Sequence, residues 1–205
     1  MQEKELLNVI RNSRKNQVEI GLRRRIISNF NISSSLNKLR LFEVNIIDST
    51  FSGPMNWFSI SNSIIINSKF MNNSMICFNA DSCLINNTEF INCNISLGVL
   101  NESILSDCKF INCNLLKNNF DNSELTNCTF ENCNLSYSDF SDTQGFTGKI
   151  LNCKIIKTLF NEEVNIDDIR EIRYALLNEN RKKILLEEST FYKKKLSIDS
   201  LKDIC

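Results

Sequence analysis

Nine cysteines and no histidine set the first question about chemistry in this 205-residue chain. Without histidine, the commonest general base and the commonest metal ligand are both missing. The cysteines could be disulfides, metal ligands or core filler. No CxxC pair occurs. Cys93, Cys113, Cys133 and Cys153 recur at intervals of twenty, and Cys108 and Cys128 do the same in a second series. Thiols repeated at a fixed interval read as a small, burial-prone side chain used where Ser or Thr would also fit. Cys83 stands at the same kind of small position, whereas Cys77 and Cys205 fall outside it and are expected to be the more reactive thiols. Two carboxylate pairs, Glu162-Glu163 and Asp167-Asp168, could serve acid–base or metal chemistry, but they stand where a helix is expected to begin, and acids are favoured there by the helix dipole. Arg23-Arg24-Arg25 could meet phosphate, yet one short basic run in a chain of 24 Lys/Arg and 24 Asp/Glu reads as a solvated face. No nucleophile, base and oxyanion grouping can be assembled from these residues. The chain is therefore expected to be no enzyme, with no cofactor and no metal.

The element that positions the cysteines is a repeat. Every fifth residue from Ile65 to Phe160 is Phe, Leu, Ile or Met in eighteen of twenty cases, the exceptions being Ala80 and Gly145. The centres include Phe70, Phe90, Phe110, Leu115, Phe120, Phe130, Leu135 and Phe140. Two residues before each centre stands a small or compact residue, and the Cys93 to Cys153 column belongs to this set; Phe78 is its one large member. The other positions are mostly Asn, Ser, Asp, Glu and Lys. A helix presents a period of 3.6 and a strand alternates by two, so a period of five fits neither alone. It fits a short extended segment followed by a corner. Four such sides make a square coil of twenty residues, and coils stack like parallel strands about 4.8 Å apart. The twenty-residue period is visible directly in Phe90-Ile91-Asn92-Cys93-Asn94 and Phe110-Ile111-Asn112-Cys113-Asn114. Stacked Phe, Cys and Asn columns follow, with Asn side chains hydrogen-bonded as ladders.

This pattern resembles the pentapeptide repeat family over roughly residues 26–160, with Cys and Ser here in the small site where family members favour Ala. The resemblance implies an all-β solenoid, a right-handed quadrilateral β-helix. Some family members mimic duplex DNA in girth and charge and bind type II topoisomerases such as gyrase, protecting them from poisons. That role needs a strongly acidic surface and usually a C-terminal dimer contact. Residues 51–160 hold six Lys/Arg against nine Asp/Glu, a balance of only −3, and residues 1–50 hold nine against five, or +4. The zero net charge of the chain also argues against direct nucleic-acid binding.

Three regions are expected. Residues 1–25 form a cap in which Leu6, Leu7 and Ile10 line one side of a short helix. Residues 26–160 form the β-helix, with a loop or bulge near 52–58, because Phe51 and Ile65 lie fourteen steps apart rather than fifteen and Gly53-Pro54 falls between them. Residues 161–205 change to a helical period and read as an α-helical hairpin cap, through which a homodimer could form. No run of eighteen apolar residues crosses a membrane, and the charged start lacks a signal peptide's apolar core, so a cytoplasmic protein is expected. The position after each centre should face solvent. One such column reads Met71, Ile91, Ile111, Glu131, Leu151, and the next side gives Ile76, Leu116 and Ile156. Together they are the candidate contact stripe for another protein.

Overall fold

The computed structural model describes residues 3–16 and 20–160, with the backbone of four further segments between 166 and 195; side chains are described for 4–12 and 21–160. Every five residues the chain turns a corner at a residue with positive φ, among them Asn72, Asn92, Asn112, Asn132 and Asn152 at 49–55°. Asn enters this left-handed region more cheaply than other side-chain-bearing residues, because its short amide bonds the local backbone. The corner requirement is what the many asparagines answer. Between corners, three-residue strands pair in parallel one coil apart: Leu84–Asn86 lies between Ile64–Ile66 and Ile104–Ser106, and Glu89–Ile91 between Lys69–Met71 and Lys109–Ile111. The result is an all-parallel tube with four sides.

The centres fill the tube. On the first side Phe51, Phe70, Phe90, Phe110 and Phe130 stack with ring centroids 4.7–5.1 Å apart and planes within 13°. The second side contributes Met55, Met75, Ile95, Leu115, Leu135 and Ile155, the third Leu41, Ile60, Leu100, Phe120, Phe140 and Phe160, and the fourth Ile27, Ile46, Ile65, Ile85, Leu105 and Leu125, all buried. Phe120 meets the rings of Phe110 and Phe130 edge-on at 6.4 and 5.9 Å, locking the third side to the first.

Both exceptions to the period are compensated. Where Ala80 stands in a centre, the small site two residues earlier holds Phe78, buried and stacked 6.0 Å from Phe58. Where Gly145 stands in a centre, Phe146 turns inward instead and lies 6.4 Å from Phe130. Each swap keeps the interior volume close to constant, as dense packing requires.

The break near Gly53-Pro54 is a shortened side rather than a loop. Buried Phe51 and Met55 are four residues apart, and a second short side, Ile32 to Leu36, lies one coil below. The first coils accordingly pair at intervals of nineteen, Ile27 with Ile46 and Ile46 with Ile65, and later ones at twenty, Ile65 with Ile85. Stacked short sides come so close that a Cβ on Gly53 would sit 2.3 Å from the Ser34 carbonyl oxygen. Asn73, in the full-length side above, fills the remaining space and donates to the Gly53 carbonyl at 2.6 Å.

Helix α1, Glu3–Asn16, closes the first coil with Leu6 and Ile10 buried and Leu7 packed beside them. Of residues 161–205, where an α-helical hairpin is expected, the described backbone includes Ile166–Glu179, parallel to Lys149–Phe160, and Lys182–Leu185, antiparallel to Ile166–Glu179. A terminal coil leaves a row of open N–H and C=O groups, which an added strand pairs and a helix does not. The side chains of this segment, including Glu162-Glu163, Asp167-Asp168, Cys205 and the expected dimer contact, lie outside the described residues.

Candidate protein-interaction surface

The small-site residues are held for structural reasons. The cysteine columns point their thiols back across the coil below: the Cys93 thiol donates to the Phe70 carbonyl at 3.3 Å, Cys113 to Phe90 at 3.2 Å, Cys133 to Phe110 at 3.3 Å and Cys153 to Phe130 at 3.4 Å. Ser103 and Ser138 do the same to Ala80 and Leu115 at 2.6 Å. The same atom also accepts, as when the Cys113 N–H reaches the Cys133 sulfur. Cys, Ser and Thr share this donor–acceptor capacity in a small volume, and Ala lacks it. Burial pushes the Cys83 thiol up to about 12, which leaves it a poor nucleophile at neutral pH. Among the described residues, no three His, Cys, Asp or Glu side chains are grouped to hold a metal ion. The arginine run is engaged locally: Arg23 lies 4.8 Å over the Phe42 ring, and Arg24 meets Glu43 at 2.7 Å.

Chemistry is therefore left to the outer surface. Met71, Ile91 and Ile111 stand in strand register on the first side, followed by Glu131 and Leu151, all half-buried. Beside them runs a charge ladder in which Glu89 bridges Lys69 at 2.7 Å and Lys109 at 3.9 Å. Ile76, Leu116 and Ile156 are half-buried on the second side. The two columns do not merge into one stripe. Between them run the corner asparagines, with Asn112 donating to Asn92 and Asn92 to Asn72 at 3.1 Å, and a second ladder in which Asn134 donates to Asn114 and Asn114 to Asn94 at 3.0 Å.

The most exposed apolar side chains lie elsewhere. Trp57 (62% exposed), Leu97 (48%) and Tyr137 (48%) all occupy the corner between the second and third sides, and Ile26, Leu84 and Ile104 lie on the fourth side. The corner residues escaped the sequence reading because they stand two positions after a centre, not one. The usable signal was the absence of Asn at this position in every fourth repeat.

Residues 119–144 match the family model described as pentapeptide repeats (8 copies). The chain carries pentapeptide repeats. No curated protein matches it. Among solved structures, the pentapeptide-repeat tube is similar to a trypsin-treated variant of QnrB1, a plasmid-mediated fluoroquinolone resistance protein, at 15% identity over 80% of this chain and 93% of that one, with a TM-score of 0.43. It is also similar to HetL, a pentapeptide repeat protein involved in heterocyst differentiation regulation from the cyanobacterium Nostoc sp. strain PCC 7120, at 13% identity over 86% and 97% with a TM-score of 0.37. A third, Rfr23 from the cyanobacterium Cyanothece 51142, is 13% identical over 76% and 99% with a TM-score of 0.29. No helix among the described residues is long and apolar enough to cross a membrane.

Proposed function

We propose that this pentapeptide-repeat chain is a non-enzymatic module that binds another protein, with residues 26–160 as the working tube and the flanking segments as its caps. The observation that carries the reading is the in-register apolar run Met71–Ile91–Ile111 on a flat, rigid side. Apolar side chains fixed at strand spacing on an outer face offer a preorganised contact that needs little ordering when a partner arrives. Free, buried thiols along the small-site columns fit a reducing, cytoplasmic setting. The DNA-mimic role implied by the resemblance calls for dense surface acidity. Here Glu89 is flanked by Lys69 and Lys109, and the balance over 51–160, six Lys/Arg against nine Asp/Glu, is −3.

The test is affinity purification from native lysate followed by mass spectrometry, with Ile91→Lys/Ile111→Lys run in parallel. The double variant keeps the interior intact, so it should fold and lose partners that the natural chain retains. An identical set of partners for both proteins would remove the first side from the contact. No partner for either would overturn the module reading.

A further inference from the structure

Two of the four corners of the tube follow the preference of the backbone. The two corners flanking the first side carry Asn or Asp throughout, as at Asn72, Asn92 and Asn112 or Asn67, Asn87 and Asp107, and the corner between the third and fourth sides mixes Asn with Ser, Glu and one Arg. The corner between the second and third sides has neither Asn nor Asp. It reads Lys38, Trp57, Cys77, Leu97, Lys117, Tyr137, Lys157, all with φ between 51° and 61°. A bulky side chain in this left-handed region is disfavoured, and an exposed one returns little burial in exchange. Folding alone therefore does not account for Trp57, Leu97 and Tyr137 at three levels of the same ridge. Strained conformations are kept where something other than the fold uses them.

The ridge carries three cations, Lys38, Lys117 and Lys157, and no acid at any corner position, and Arg40 stands two residues past Lys38 on the third side. At its N-terminal end lies an open depression of about 430 Å³ lined by Lys38, Arg40, Trp57, Ser59, Cys77 and Asn79. Two cations beside an indole face make a seat for a carboxylate next to an apolar side chain. Asp139, the carboxylate beside Tyr137, turns its Oδ1 to the N–H and hydroxyl of Ser141 at 2.9 and 2.7 Å.

We infer that this corner ridge is a docking site for an acidic, extended segment of a partner protein, anchored in the depression at Lys38, Arg40 and Trp57 and running over Leu97 toward Lys117 and Tyr137. Charge complementarity chooses the occupant: the corner positions carry Lys38, Lys117 and Lys157 and no acid, with Trp57, Leu97 and Tyr137 among them as apolar contacts for an extended chain. The inference rests on the protein-binding reading of the tube but assigns the contact to a different surface from the first-side column.

Trp57 is the chain's single tryptophan and 62% exposed, so its emission reports directly on the seat. The experiment titrates the full chain with a synthetic peptide of Glu-Glu-Ile-Ile repeats, which presents both residue types on each face when extended, with the same peptide carrying Lys for Glu, and with a single-stranded DNA oligonucleotide. The acidic peptide should give a saturable change in Trp57 emission, weakened at least about tenfold by Lys38→Glu/Arg40→Glu and by added salt. Leu97→Asn/Tyr137→Asn should also weaken it, and this variant suits the corner conformation better than the natural residues, so a folding defect does not confuse the result. Absence of a saturable change, equal binding of the Lys peptide, or tighter binding of the oligonucleotide overturns the inference. In the lysate experiment, partners retained by Leu97→Asn/Tyr137→Asn would sink the ridge while leaving the module reading intact.

Discussion

The backbone N–H of Cys113 ends on the sulfur of Cys133 at 3.4 Å, one coil above it. That thiol in turn donates to the Phe110 carbonyl at 3.3 Å, so one side chain serves two buried backbone groups. Cys133→Ala removes both partners and should cost about 1–3 kcal/mol. Cys133→Ser keeps donor and acceptor and should stay within about 1 kcal/mol of the natural chain. Urea unfolding of the three proteins checks the order, and equal losses for Ala and Ser would show that volume alone matters at this site.

The Phe110 ring lies 4.7 Å from Phe90 and 4.8 Å from Phe130 and is fully buried. Phe110→Ala leaves a cavity that parallel stacked neighbours cannot collapse into without breaking strand register. The expected loss is about 3–5 kcal/mol, read from the denaturation midpoint.

At the corners the backbone makes opposite demands on two exchanges. Leu97→Asn places the favoured residue at φ 60° and should raise stability by about 1 kcal/mol. Asn112→Leu does the reverse at φ 54° and also deletes the bond to Asn92, so it should lower stability by about 1–3 kcal/mol. Thermal melts of the two variants should move in opposite directions.

Asp121 supplies the pH test. Its Oδ1 is buried without a hydrogen-bond partner, and burial, reinforced by the carboxylates of Asp142 and Asp139, holds its pKa above the ordinary aspartate value. The folded state therefore keeps a proton that the unfolded chain has already released. Stability contributed by this group falls as pH rises through that window and stays low above it. Asp121→Asn should raise the melting temperature at neutral pH, and the gain should shrink as the pH falls and the natural carboxyl, its pKa raised, takes up its proton. A gain independent of pH would mean the charge is not the cause.

Thiol labelling separates the cysteines by position. Cys77 sits half-buried at a corner, while the other described cysteines are buried. With Cys205→Ser as background, Cys77 should react with a thiol reagent at once and the column cysteines only as the chain unfolds.

The tube was legible in the sequence because its interior obeys one rule. Phe90, Phe110 and Phe130 mark the period, and no tertiary knowledge is needed to see that they share a side. The compensations were not legible. Phe78 for Ala80 and Phe146 for Gly145 depend on how much room adjoining positions leave, which a single-column count does not contain. The short side at 33–35 was hidden because Phe30 and Ile32 are both buried and either could be taken for the centre. The asparagines were visible as ladders, but their conformational role at the corners was not, and the exposed ridge was missed with it. The helical period after residue 161 was plain in Ile169, Ile172 and Leu176. The described backbone there pairs Ile172 with Ile155.

The two four-residue sides, Ile32 to Leu36 and Phe51 to Met55, lie directly above one another. Where a short side meets a full one the mismatch is local, and Asn73 fills it above Gly53 while Met55 and Met75 stay buried. Trimming the same wall twice keeps neighbours matched, and the tube merely narrows at its foot. Such a chain can change length by whole turns, or by a residue within one wall where a side chain such as Asn73 fills the gap. Its evolutionary history is thus written in quanta of architecture, with Gly53 marking where the smaller gauge ends.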